Sequence, residues 1–177
     1  MFEVPSHVLK EVVDNVVDTL SGISEIYPVQ LQLLEALIKN NNVFFTSATN
    51  SGKTLPACLY PYVLEELAKL GYEVPTGKAI FITALNSIKL SMVSSVKQLG
   101  LNCEAVTVTN YMDVINSPSV KIIFVSPEVL KIPQVSACLL KNRHAFVLKI
   151  IDECHLGELK QILLLIDFYL GIFLRLL

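Results

Sequence analysis

The sequence predicts an α/β domain in which a mostly parallel sheet carries helices on both faces. Three observations predict it. Short apolar runs alternate with longer stretches of helical period. The runs are apolar at consecutive positions, as strands buried on both faces are. Polar clusters also stand directly after the first and the last of these runs, SATNSG and DECH. In sheets of this kind the carboxyl ends of the strands are where ligands bind.

The elements follow in order. Pro5-Ser6 opens a first helix, with Ser6 as its expected N-cap. Leu9, Val12, Val13, Val16, Val17 and Leu20 then recur at helical spacing, and Ser21-Gly22 ends the element. Pro28 suits the first turn of a second helix. Its apolar positions are Leu31, Leu34, Leu37 and Ile38, and Asn40-Asn41-Asn42 stops it. The period then changes. Residues 43–46 read as a buried strand, 53–70 as a helix, 79–83 as a strand and 87–99 as a helix. Residues 105–109 alternate, which suits a weaker third strand near an edge. Residues 122–125 form a fourth strand. A helical stretch over 127–140 is expected to break near Pro133, and 146–151 form a fifth strand ending at Asp152. Lys149 is awkward inside that run, because lysine is rarely buried unpaired. The expectation is that the strand is less enclosed there or that Lys149 snorkels outward.

Composition narrows the function. Hydrophobic residues make up 53% of the 177 and charged residues 17%, which excludes a disordered acidic or basic tail protein. Lys plus Arg total 14 against 16 Asp plus Glu, so no broad positive field draws nucleic acid and any such contact is local. Arg143 and Arg175 are the only arginines. Cys58, Cys103, Cys138 and Cys154 form no CxxC pair, and His7, His144 and His155 complete no zinc spacing. The N-terminus lacks the pattern of a secretory signal.

The chemistry concentrates in two places. Ser51-Gly52-Lys53-Thr54 matches the end of a P-loop and stands between an apolar run and a helix. Backbone N–H groups at such a helix start surround a phosphate. Lys53 would neutralise the β- and γ-phosphates, and Thr54 would hold Mg²⁺ through its hydroxyl. Ser47, Ala48, Thr49 and Asn50 complete the loop. Ser47 stands where the motif has its first Gly, and Asn50 tolerates the left-handed backbone that Gly would take. The bland alternative is an ordinary strand-to-helix turn. At the second place, Asp152 would coordinate Mg²⁺ and Glu153 would polarise an attacking water. The alternative there is a solvated strand end with His155 capping a turn. Lys53 and Asp152 should meet at one sheet edge, with 43–46, 79–83, 122–125 and 146–151 as neighbouring parallel strands.

Taken in order, these motifs resemble the first RecA-like domain of superfamily 2 helicases, and most closely the RecQ family of DNA helicases. YPVQ, ending in Gln30, resembles the adenine-reading motif; TSATNSGKT resembles motif I; FITALNSIKLSM resembles motif Ia. IIFVSPEVL resembles the family's strand ending in Ser-Pro-Glu, and IIDECH resembles motif II. The resemblance covers roughly residues 8–155 and implies ATP and Mg²⁺ as cofactors. It implies that Gln30 reads the adenine edge, that Tyr27 stacks on the base, that Glu153 is the catalytic carboxylate and that His155 relays nucleotide state. It further implies single-stranded DNA as partner, contacted by the turn after Thr83 and by the hydroxyls and amides of Ser126 to Glu128, and a nuclear location. Without it the location reads as cytoplasmic. DEAD-box RNA helicases share this layout and remain an alternative.

The departures from the family begin after His155. Leu156-Gly157-Glu158-Leu159 replaces the expected aromatic-rich loop, and residues 161–177 are apolar apart from Gln161, Asp167, Gly171 and Arg175. The sequence therefore divides into a partial helicase domain over 1–155 and a divergent apolar tail over 156–177. The expectation is a truncated or fragmentary helicase whose sheet lacks the strands after motif II. The tail falls short of a membrane span, being short and interrupted by charge, and reads first as an artefactual or frame-shifted end of the coding sequence and next as a buried or interface helix. A non-catalytic module would instead pair with a protein through an exposed sheet edge and residues 161–177. A GTPase or nucleotide kinase is disfavoured, since Asn-Lys-x-Asp is absent and arginines are too few.

Overall fold

The computed structural model describes residues 4–39, 42–45, 52–83, 86–152 and 173–176. Among them is one six-stranded, all-parallel sheet. The strands are β1 (Val43–Phe45), β2 (Lys78–Ile82), β3 (Cys103–Ala105), β4 (Ile122–Val125), β5 (Phe146–Asp152) and β6 (Phe173–Leu176), in the order β1-β6-β5-β2-β4-β3. The helices are α1 (Ser6–Val17), α2 (Pro28–Ile38), α3 (Thr54–Lys69), α4 (Asn86–Gln98), α5 (Tyr111–Asn116), α6 (Pro127–Leu130) and α7 (Pro133–Lys141).

The two-residue period of the central strands sorts their side chains between two cores. Ala79, Phe81, Ile122, Phe124, Leu148 and Ile150 pack with α1, α2, α3 and α4. Ile80, Ile82, Ile123, Val125 and Ile151 pack with α5, α6 and α7. Phe81 and Phe124, partners in the β2–β4 register, stack with ring centroids 4.8 Å apart at 27°. Helices thus cover both faces, as the consecutive apolar runs predict.

Several local expectations are corrected. Pro5, not Ser6, is the N-cap of α1, with no side-chain cap bond, and the helix ends at Val17, short of Leu20. The third strand is Cys103–Ala105 rather than 105–109. Asn110 is the reason: its amide donates to the Ala105 carbonyl at 3.0 Å and its Oδ1 accepts the Thr107 N–H at 2.8 Å. This side-chain turn closes the strand and blunts the outer edge of the sheet. The short helix α5 has no counterpart in the sequence reading. Lys149 is fully buried, so neither an open strand nor snorkelling accounts for it.

The largest correction concerns the tail. Residues 173–176 form a strand where an apolar helix was expected, and it lies between β1 and β5. The phosphate-loop strand is therefore not a direct neighbour of the strand ending in Asp152. Val43, Phe44 and Phe45 pair with Leu174, Arg175 and Leu176, and Leu176 pairs in turn with Asp152.

Candidate functional site

Across β1, β6 and β5 the register puts Phe45, Leu176 and Asp152 at one level on the carboxyl edge. Two inter-strand spacings separate the first from the last, roughly 10 Å of sheet. The phosphate-loop strand and the strand of Asp152 therefore end together, as a shared nucleotide site needs. Of the loop itself, Ser47, Ala48, Thr49, Asn50 and Ser51 lie outside the described residues, as do Glu153 and His155.

The described part of the loop is built around Gly52. Its φ of +69° is a left-handed value that other residues rarely adopt. A Cβ there would stand 2.6 Å from Nε2 of Gln30. Lys53 follows in helical conformation as the N-cap of α3, and Thr54 is the first residue of that helix. The Leu55 N–H donates to the Gly52 carbonyl at 3.1 Å, closing the turn. Helix N-terminal N–H groups, the Lys53 ammonium and the Thr54 hydroxyl thus come from three consecutive positions. That donor set fits a phosphate chain with its metal.

Gln30 has a structural role that the sequence did not disclose. It is buried at 2% exposure, yet both ends of its amide are used. Oε1 accepts the Tyr27 N–H at 2.8 Å, and Nε2 donates to the Gly52 carbonyl at 3.1 Å. The side chain fastens the start of α2 to the phosphate loop across 22 positions of sequence. Tyr27 beside it is 62% exposed, open to stacking on a planar ring.

A pocket of about 310 Å³ opens next to this turn, between Gly52, Thr54 and Cys58 on one side and Ser91, Met92 and Ser95 on the other. Burial, and secondarily Cys103, pushes the Cys58 thiol far above its ordinary range, so it is an inert wall rather than a nucleophile. Among the described residues no group of His, Cys, Asp and Glu is placed to hold a metal without a nucleotide.

At the ends of β2 and β4 the hydroxyls of Thr83 and Ser126 are buried, with no hydrogen-bond partner among the described residues. This corrects the expectation that Ser126 offers its hydroxyl to a nucleic-acid backbone, because Ser126 and Pro127 are buried and only Glu128 of that trio is exposed. The two arginines sit apart. Arg143 lies in a 3₁₀ turn at the amino end of β5, and Arg175 lies within β6 between Phe44 and Ile151.

With this geometry in view, known proteins place the chain. The family model described as type III restriction enzyme, res subunit, matches residues 11–169. No protein of curated function matches the sequence. Among solved structures, the UvsW helicase of bacteriophage T4 superposes with a TM-score of 0.67 at 18% identity, over 98% of this chain and 60% of that one. The DUF1998 helicase MrfA superposes with a TM-score of 0.61 at 17% identity, over 94% of this chain and 28% of its own. The same helicase bound to DNA and AMPPNP gives 0.62 at 17%, over 94% of this chain and 26% of its own. The chain therefore spans less than two thirds of either helicase. It belongs to the type III restriction enzyme res-subunit family and has the fold of the first RecA-like domain of a superfamily 2 helicase.

Proposed function

We propose that the chain is the ATP-binding domain of a DNA helicase and holds Mg-ATP at the carboxyl edge of its sheet. The observation that carries this reading is the Gln30–Gly52 hydrogen bond. It joins the motif expected to read adenine to the turn expected to cradle phosphate, so the two ends of one nucleotide are prepared by a single fixed unit. In this reading Tyr27 stacks on the base, Gln30 holds the loop while its remaining N–H addresses the adenine edge, and Ser47 to Gly52 cradle the phosphates. Lys53 offsets the charge on the β- and γ-phosphates. Thr54 and Asp152 hold Mg²⁺, Glu153 polarises the attacking water and His155 passes the nucleotide state onward.

The finer assignment is a RecQ-like helicase moving 3′ to 5′ on single-stranded DNA in the nucleus. The Ser126-Pro127-Glu128 and Asp152-Glu153-Cys154-His155 forms support it. The solved MrfA complex, in which a protein of this fold is bound to DNA and AMPPNP, supports only the coarser part, a nucleotide and DNA as ligands. A protein-interaction role is less favoured at the β3 edge. There Asn110 occupies the Ala105 carbonyl, and the Tyr62 hydroxyl accepts the Asn102 N–H at 2.8 Å.

Titration calorimetry with Mg-ATP tests the reading. The expected result is micromolar-to-millimolar binding that Lys53→Ala largely removes, because Lys53 is the one cation in the loop sequence from Ser47 to Thr54. Equal affinities in the two proteins would remove Lys53 from the site.

A further inference from the structure

Charge is unevenly spread along this chain. Between Glu128 and Asp152 stand four of its 14 lysines and arginines and none of its 16 aspartates and glutamates. Lys149 is buried in β5, but the other cations of the stretch reach the surface. Lys131 and Lys141 are exposed, Arg143 is half-buried, and His144 beside them is exposed. The ion pairs among the described residues are Lys10–Asp14, Lys69–Glu66, Lys97–Glu104 and Lys121–Glu65. No described carboxylate, Asp113 on α5 and Glu128 on α6 included, therefore pairs with the four surface groups. The helix α7 sets this charge beside apolar surface. Val135 and Leu139 turn inward and are buried, while Gln134, Ala137 and Leu140 face outward at helical spacing. Leu140 is 39% exposed and Lys141 follows it directly. The nine residues of α7 span about 13 Å, with Lys131 before the amino end and Lys141, Arg143 and His144 at the carboxyl end. The helix dipole accounts for the cations at the carboxyl end. It disfavours Lys131 at the other end and says nothing of an exposed leucine between them.

We infer that the outer face of α7 docks an acidic peptide segment of a partner protein, one that carries aliphatic side chains between its carboxylates. Cations at both ends of one helix bracket a small apolar strip, and such a segment complements both features at once. Charge across an interface sets orientation and association rate, while the apolar centre excludes water. Arg143 suits a carboxylate in particular, because a guanidinium can hold both of its oxygens. A nucleic-acid strand is matched less well. Residues 127–145 contain no Phe, Tyr or Trp on which a base could stack, and Ala137 and Leu140 lie where phosphates would run. The inference does not depend on the nucleotide-binding reading above.

Fluorescence anisotropy of the 177-residue chain with a labelled peptide of Asp and Glu, bearing leucines at helical spacing, tests the docking face. The expected result is saturable binding that weakens with added salt. The double variant Lys141→Glu, Arg143→Glu should bind about tenfold more weakly. Leu140→Ser, and separately a peptide with serines in place of its leucines, should each bind about three- to tenfold more weakly. Lys131→Glu puts an anion at the amino end of α7, which the dipole favours, so a loss of about threefold there cannot be laid to unfolding. Absence of saturable peptide binding would overturn the inference, as would unaltered affinity in Lys131→Glu and the double variant. A double variant with a lowered melting temperature and intact peptide affinity would reduce the cations to helix-end stabilisers and overturn it too. Tighter binding of a DNA oligonucleotide than of the peptide, lost in the charge variants and kept in Leu140→Ser, would give the face to nucleic acid instead.

Discussion

Single residues decide how the phosphate turn is held. Gly52 combines a φ of +69° with a neighbour, Gln30, whose amide stands where a Cβ would go. Gly52→Ala therefore meets two penalties. The left-handed backbone alone costs about 1–2 kcal/mol for an L residue, and Gln30 must give up its bond to the Gly52 carbonyl or move. The expected outcome is a lower denaturant midpoint and weaker Mg-ATP binding together, read by urea titration and calorimetry. An unchanged midpoint would show that the turn is not set by this glycine. Cys58 gives a second prediction at the same scale. Burial pushes the Cys58 thiol up steeply and Cys103 up to about 11, and burial also pushes the Tyr62 phenol up to about 12. Each folded value lies above the unfolded one, so the folded state keeps its protons longer. Their stabilisation is whole below about pH 9 and is lost as pH rises through the folded values. Melting temperature should fall from about pH 9 upward, and Cys58→Ala should flatten that fall. A melting temperature constant to pH 11 would contradict it.

Elements depend on bonds that sequence patterns do not carry. Lys78 is buried at the start of β2, and its ammonium donates to the carbonyls of Val114 at 3.3 Å, Ile115 at 2.9 Å and Ser117 at 2.5 Å. It closes the C-terminal end of α5, where a cation also complements the helix dipole. Lys78→Met should leave those acceptors without a donor at a cost of about 1–3 kcal/mol. Faster amide exchange confined to residues 111–117 would place the loss in α5; uniform change would not. Burial, and then Lys121, lowers the Lys78 pKa. Its folded value lies below the unfolded one, so its contribution rises with pH up to the ordinary lysine range and opposes the thiols. The strands in runs apolar on both faces were legible, β4 to the residue, as was the break at Pro133 between α6 and α7. The element α5 was not, because six residues hold less than two turns of periodic signal. Nor was β6, since a continuous apolar run has the same pattern in a strand as in a helix. In the candidate site the sequence alone proposes Gly52, Lys53, Thr54 and Asp152 by residue type, and the structure places the first three at the start of α3 and the last at the end of β5. Gln30 as a clasp and the burial of Thr83 and Ser126 arise only when distant segments meet.

At the scale of the whole molecule the question is what one domain of this fold accomplishes. The chain covers 60% of UvsW and 28% of MrfA, so each of those helicases carries much that has no counterpart here. Fast hydrolysis in NTPases that use an arginine finger needs positive charge on the γ-phosphate opposite the loop lysine, and its loss costs about 10³–10⁵ in rate. Arg143 cannot supply it, because it sits at the amino end of β5 while Asp152 ends that strand. Arg175 is in β6, and its register partner Ile151 immediately precedes Asp152, so the strand that completes the sheet brings the other arginine to the correct end. The prediction is that the 177-residue chain binds Mg-ATP, hydrolyses it slowly and separates no strands of a forked DNA duplex. Arg175→Lys separates two sources of the slow rate. A further drop in hydrolysis without a drop in Mg-ATP affinity would make Arg175 a contributor from within the domain; an unchanged rate would leave it to the sheet. Unwinding at a motor's pace, abolished by Glu153→Gln, would overturn the prediction, because translocation by one domain has no second surface to close upon the strand. A dimer joined by exchange of the terminal strand β6 would provide that surface, and sedimentation of the active sample would reveal it.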